Sequence, residues 1–192
     1  ERLHRWEDAL NAYRKRQLED HNNSYELTLG KLRCLKALSD WRTLYKISND
    51  IWNTDIYQNM NSSAMKTNIA PIAISAAWNL GSWNSVEDYL EHMKPETAEF
   101  HYYKGVVSIH HKKFEKATKH IHHARSVLEN DLTALIGESY NRAYSTIIRL
   151  QQLTELEEVI NYSQTNQESR KKQIYHMWNE RLDGYQKDIS IW

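Results

Sequence analysis

Cysteine, proline and glycine are scarce in this chain, and each scarcity excludes something. One cysteine, Cys34, in 192 residues closes no internal disulfide, which fits a reducing compartment. Two prolines, five glycines and five valines leave few tight turns and little material for a large sheet. No apolar run reaches the roughly 18 residues of a membrane span, and the longest stretch is 69–80. Charge of one sign is also missing. The 25 Lys and Arg balance 25 Asp and Glu, so the long-range field that a general nucleic-acid or polybasic membrane binder relies on is absent. No signal peptide is visible. The chain starts with Glu-Arg, inside a helical pattern, and reads as a piece cut from something longer.

What is present points to helices. Leu, Glu, Lys, Arg, Gln and Ala are abundant, and these residues lose little freedom in a helix. Hydrophobic residues make up 40%, enough for a packed core. The 7 Trp and 12 Tyr are many for such a chain, and their positions explain them. Five segments open with a large apolar residue, place a small or aliphatic residue three positions later, and add another apolar residue six or seven positions after the first. They begin at Trp6, Trp41, Trp83, Phe114 and Leu156. Spacing near 34 residues is the tetratricopeptide length, and the scatter here makes the array degenerate. The openers read as core wedges between the two helices of a hairpin.

Each opener after the first follows an apolar helix and a short break. The unit is therefore helix, turn, helix, and one such hairpin buries its apolar face only against stacked neighbours. The expected fold is an all-α solenoid of tetratricopeptide-like hairpins, a right-handed superhelix. Residues 1–192 are expected to be a single segment of it, truncated at both ends. The expected helices are 2–17, 24–38, 41–52, 64–80, 84–92, 98–110, 114–129, 131–152, 155–162 and 170–190. Gly81 suits a helix C-cap and Thr97 an N-cap. Asn84 with Glu87, and Thr154 with Glu157, have capping-box spacing.

Catalytic chemistry finds little support in the residues. There is no Gly-rich phosphate loop, no Gly-x-Ser-x-Gly elbow and no His-Glu-x-x-His pair. His110, His111, His120, His122 and His123 cluster, but Lys112, Lys113, Lys116 and Lys119 surround them. That positive neighbourhood disfavours a divalent cation, so the stretch reads as a solvated face with loose anionic contacts as the alternative. Cys34 lies on an apolar stripe and reads as a buried, inert thiol. Glu155, Glu157 and Glu158 read as a charged face at a helix start, where the dipole favours acids. Arg170-Lys171-Lys172 leads into the last helix, which carries Arg181 and Lys187. A free-standing peptide-binding module would need basic and amide groups in its groove, for which Lys31, Lys104, Asn141 and Arg142 are available.

The order of the motifs goes further. Leu3-His-Arg-Trp-Glu-Asp-Ala-Leu-Asn-Ala-Tyr13 is followed by Leu29–Leu38 and then by Ala76-Ala-Trp-Asn-Leu-Gly-Ser-Trp83. Glu138-Ser-Tyr-Asn-Arg-Ala-Tyr144, Glu155-Leu-Glu-Glu-Val-Ile160 and Trp178–Lys187 complete the set. Together they resemble the FAT domain of target of rapamycin kinases, within the phosphatidylinositol-3-kinase-related protein kinases, over essentially the whole chain.

The resemblance implies a non-catalytic scaffold segment that clamps the kinase domain of the same chain, in nutrient and growth signalling. It implies a parent serine/threonine kinase whose ATP and Mg²⁺ sites lie outside these residues, and no cofactor or metal within them. Implied partners are a WD-repeat propeller subunit and a large scaffold subunit, in complexes that form dimers, with no nucleic acid. The implied location is the cytoplasm, with peripheral association with lysosomal or vacuolar membranes through the parent complex. FAT domains of this family also resemble one another in binding inositol hexakisphosphate. The matching basic position here is Lys187, after Gln186, where Lys keeps the charge but lacks the planar fork of Arg.

Overall fold

A computed structural model describes residues 5–19, 25–53, 62–136 and 140–184. Every regular element among these residues is a helix. In chain order they are α1 (Trp6–Glu19), α2 (Tyr25–Ala37), α3 (Trp41–Asn53), α4 (Ser62–Asn79) and α5 (Trp83–Leu90). These are followed by α6 (Ala98–His110), α7 (Phe114–Ile136), α8 (Tyr140–Gln164) and α9 (Glu168–Gly184). The chain divides into two compact units, Glu1–Met93 and Lys94–Trp192. In the first, α1 to α5 pack in sequential order, with α2 also touching α4. In the second, α6 to α9 do the same, with α6 also touching α8. Contact between a helix and the next but one is what stacked hairpins produce, so the fold class is all-α with solenoid packing.

The hairpin breaks show a repeat that is sharper in the backbone than in the sequence. Ser39, Gly81 and Lys112 each adopt a left-handed conformation, with φ of 56°, 67° and 58°. At each break the next residue donates its N–H to the carbonyl five residues back: Asp40 to Leu35, Ser82 to Ala77, and Lys113 to Ser108. The left-handed residue itself donates three back, to Lys36, Trp78 and Ile109. This is the Schellman closure of a helix C-terminus, and it satisfies carbonyls that the helix leaves open. The chain then reverses, and Trp41, Trp83 and Phe114 each begin the following helix. Only one of the three positions is glycine, so the other two hold a side chain in a conformation that costs about 1 kcal/mol or more.

Three residues into each following helix comes a fully buried position, occupied by Leu44, Val86 and Ala117. Seven residues in comes another, occupied by Ser48, Leu90 and Ile121. These inner positions make the core, while the openers Trp41, Trp83 and Phe114 sit half-buried beside it. Trp78 and Trp83 meet edge to face at 5.4 Å across the α4–α5 break. In α4, Ala70, Ala73, Ala76 and Ala77 are wholly buried. Their small side chains let neighbouring helices approach closely. Gly30 serves α1 and α2 in the same way, because a Cβ there would lie 2.7 Å from Tyr13 Cε1.

Several boundaries differ from the sequence reading. The expected break near Asn130 lies inside α7, and the break expected at Thr154 lies inside α8. Leu156 therefore sits within a continuous helix and opens none. Neither place offers Gly or Pro, and the Thr154 hydroxyl turns back onto the Leu150 carbonyl at 3.1 Å, a bond the helix tolerates. The capping box expected at Asn84 is also absent, because α5 begins one residue earlier, at Trp83. Ser82 takes the N-cap place without a side-chain cap bond. Its hydroxyl instead meets Tyr45 Oη at 3.0 Å, tying α5 to α3. Thr97 caps α6 as expected, its Oγ1 accepting from the Phe100 N–H at 3.2 Å.

Candidate functional site

The second unit is organised around one apolar cluster. Ala117, Ile121, Ala124 and Leu128 of α7 meet Leu153 and Ile160 of α8. Phe114 and Leu156, both half-buried, pack against it. Two adjacent glutamates on α8 then reach in opposite directions. Glu157 accepts a two-pronged ion pair from Arg125 of α7, at 3.0 and 2.8 Å. Glu158 accepts another from Arg181 of α9, both prongs at 2.8 Å, and a third bond from the Trp178 indole at 2.8 Å. Burial opposes ionisation of Glu158, but the bonds from Arg181 and Trp178 and the charge of Arg181 outweigh it. Its carboxyl is held below the usual glutamate range. The planar fork of Arg suits this geometry, and the pair fixes the angle of α9 on α8. In the run that reads in sequence as a charged face at a helix start, Glu157 and Glu158 are thus a pair of fasteners inside a continuous helix.

This arrangement bears on anion binding at α9. Lys187 lies outside the described residues. Arg181 has its guanidinium matched by Glu158. A groove of about 570 Å³ runs along α9, and Lys171 and Lys172 line it together with Glu168, Glu180 and Asp183. Three carboxylates against two ammonium groups do not suit a polyanion. The charge of this groove's lining therefore does not itself mark an inositol polyphosphate site.

Two of the residues considered for a peptide groove, Lys31 and Lys104, make local contacts. Lys31 Nζ donates to Gln17 Oε1 at 2.6 Å across α1 and α2. Burial, then the charge of Arg14, lowers its pKa. Lys104 Nζ lies 5.6 Å from the centre of the Phe100 ring. The side chains of Asn141 and Arg142 lie outside the described residues. Cys34 is fully buried among leucines of α2.

The histidines are the group that the sequence reading missed in part. His120 and His123 share a face of α7, as their spacing requires. His101 of α6 joins them from nineteen residues earlier. Its Nδ1 lies 3.0 Å from His120 Nδ1. The two rings stack at 5.3 Å with 30° between planes, and the His101 and His123 ring centres are 4.2 Å apart. A contact of this kind has no local sequence signal, since it depends on the rotation of both helices. Among the described residues no three His, Cys, Asp or Glu side chains are placed to ligate one metal ion. Among the same residues no helix is long and apolar enough to cross a membrane.

Stacked helical hairpins with left-handed breaks place the chain among the α-solenoid proteins. Residues 70–192 match the FAT domain family, and the chain belongs to it. Over its full length the chain is 39% identical to the serine/threonine-protein kinase tor1 of Schizosaccharomyces pombe and 39% identical to TOR2 of Saccharomyces cerevisiae. It is 36% identical to the mTor kinase of Drosophila melanogaster, again over the whole chain. The chain spans only 7–8% of the length of these relatives. It is thus a FAT segment of target of rapamycin type.

Proposed function

We propose that this segment is a non-catalytic regulatory scaffold of a target of rapamycin serine/threonine kinase. It clamps the kinase domain of its own parent chain and supports complex assembly in nutrient and growth signalling. The observation that carries the reading is the full-length match to kinases of this name by a chain that is built entirely of packed helical hairpins where described. Such hairpins resist bending because each inner position is filled, so a load at one end is transmitted through packed cores. The parent protein would supply the ATP and Mg²⁺ sites. A WD-repeat propeller subunit, a large scaffold subunit and a second complex are the proposed partners, in the cytoplasm and at endomembranes. An inositol hexakisphosphate contact through Lys187 belongs to the same proposal, with its other basic ligands drawn from elsewhere in the parent chain.

The test is Trp83→Ala in the full-length parent kinase. Trp83 braces the α4–α5 break against Trp78. Truncating such a ring costs about 3–5 kcal/mol when it is buried, and less at this half-buried position. The expected result is a softened helical segment, seen as faster proteolysis, and a raised basal kinase rate. A softened segment with an unchanged rate would refute the clamp.

A further inference from the structure

We propose that the His101, His120 and His123 cluster is a pH-sensitive fastener, closed when its rings are neutral and opened by a second protonation, so that acid loosens the α6–α7 hairpin. The contact geometry sets this requirement. At 3.0 Å the two Nδ1 atoms of His101 and His120 share a single hydrogen: one donates and the other offers its lone pair. If both rings are doubly protonated, two N–H groups point at each other and the bond becomes a repulsion. His123, with its ring centre 4.2 Å from that of His101, brings a third ring to the same place.

The surroundings do not relieve that repulsion. On α6 the charged neighbours are Glu99 and Lys104; Glu99 acts on Tyr103, and Lys104 acts on His120. On α7, Lys116 precedes His120 by one turn and Lys119 precedes His123 by one turn. From α8, Arg149 and Glu155 act on Tyr103 and Tyr102 of α6. Before α6, the Pro95 carbonyl accepts from His101 and is the single contact that favours its charged form. Among the described residues no carboxylate acts on His101 or His120. Burial first, then neighbouring positive groups, lowers the pKa of both rings. The sign follows: the fastener is fully closed above the ordinary histidine pKa and is lost as pH falls through the lowered folded values.

Hydrogen–deuterium exchange of the intact chain tests this, with rates corrected for the intrinsic effect of pH. Protection in peptides spanning 98–123 is expected to fall at least about fivefold between about pH 7.5 and about pH 5, relative to peptides spanning 62–79. Two unit charges at this range repel by that factor even in bulk water. His101→Phe and His120→Phe keep an aromatic ring but remove one proton site each, and each is expected to abolish most of the fall. His176→Gln, at an exposed position of α9, is expected to leave it intact. An equal fall in wild type and in both Phe variants, or no fall in wild type, overturns the proposal. If one Phe variant fails to fold, the other and the wild-type profile still decide.

Discussion

Ser48 offers the sharpest check on the packing. It occupies the inner position that Leu90 and Ile121 fill in the other two breaks, and it is fully buried. Among the described residues its hydroxyl has no hydrogen-bond partner. Removing a buried polar atom that lacks a partner relieves a desolvation penalty of about 1–3 kcal/mol. Ala also exceeds Ser in helix propensity by roughly half a kcal/mol. Loss of one oxygen's packing costs under about 1 kcal/mol. Ser48→Ala is therefore expected to stabilise the Glu1–Met93 unit by about 1–2 kcal/mol. For a unit of this size each kcal/mol raises Tm by roughly 4–8 °C. Ser85→Ala is the matched control, because the Ser85 hydroxyl lies 2.9 Å from Tyr45 Oη. Losing that bond is expected to lower stability by about 0.5–1.5 kcal/mol. Calorimetric scans of the three proteins at equal concentration give the comparison. A Tm for Ser48→Ala at or below wild type would refute the reasoning, because the hydroxyl would then be contributing a bond.

Three further outcomes are expected. Gly81→Ala forces a Cβ into a left-handed residue and should cost about 1 kcal/mol, although nothing lies within 4 Å of the new atom. Ser39→Gly and Lys112→Gly remove that same strain and should be neutral or stabilising by up to about 1 kcal/mol, as read by urea midpoints. Glu158→Gln should lower stability by about 1–3 kcal/mol, since it leaves the Arg181 fork and the Trp178 N–H poorly matched. Because its folded pKa is depressed, the Glu158 contribution is present above the ordinary glutamate value and lost as pH falls through the folded value. The gap between wild type and Glu158→Gln should therefore close in acid. A gap that persists there would mean that packing, and not charge, holds α9.

Much of this protein was legible before any coordinates. The scarcity of Gly, Pro and Val, the helix-forming composition and the spaced aromatic openers led to an all-α hairpin array. Gly81 and Thr97 could be placed as caps because capping chemistry acts within four residues. The ordered motifs led to the FAT family. The breaks before Trp41 and Phe114 fall where the spacing places them, but their left-handed residues have no signal: Ser39 and Lys112 carry no left-handed signature, yet the chain must reverse there for Leu44 and Ala117 to reach the core. The spacing of Leu156 suits a helix opener, but nothing in the residues around Thr154 interrupts the hydrogen-bond ladder, and α8 runs on through both.

The sequence by itself determined the all-α class, the breaks before Trp41, Trp83 and Phe114 and the family the chain joins, because these depend on periodicity and on local chemistry. Only the tertiary structure decided which side chains meet across helices. His101 reaches His120, Glu157 and Glu158 turn to opposite neighbours, and Ser48 is enclosed without a partner. Each of these depends on how two helices are rotated and offset against each other. Those variables are set by the sum of all packing contacts, and no local stretch of residues encodes them.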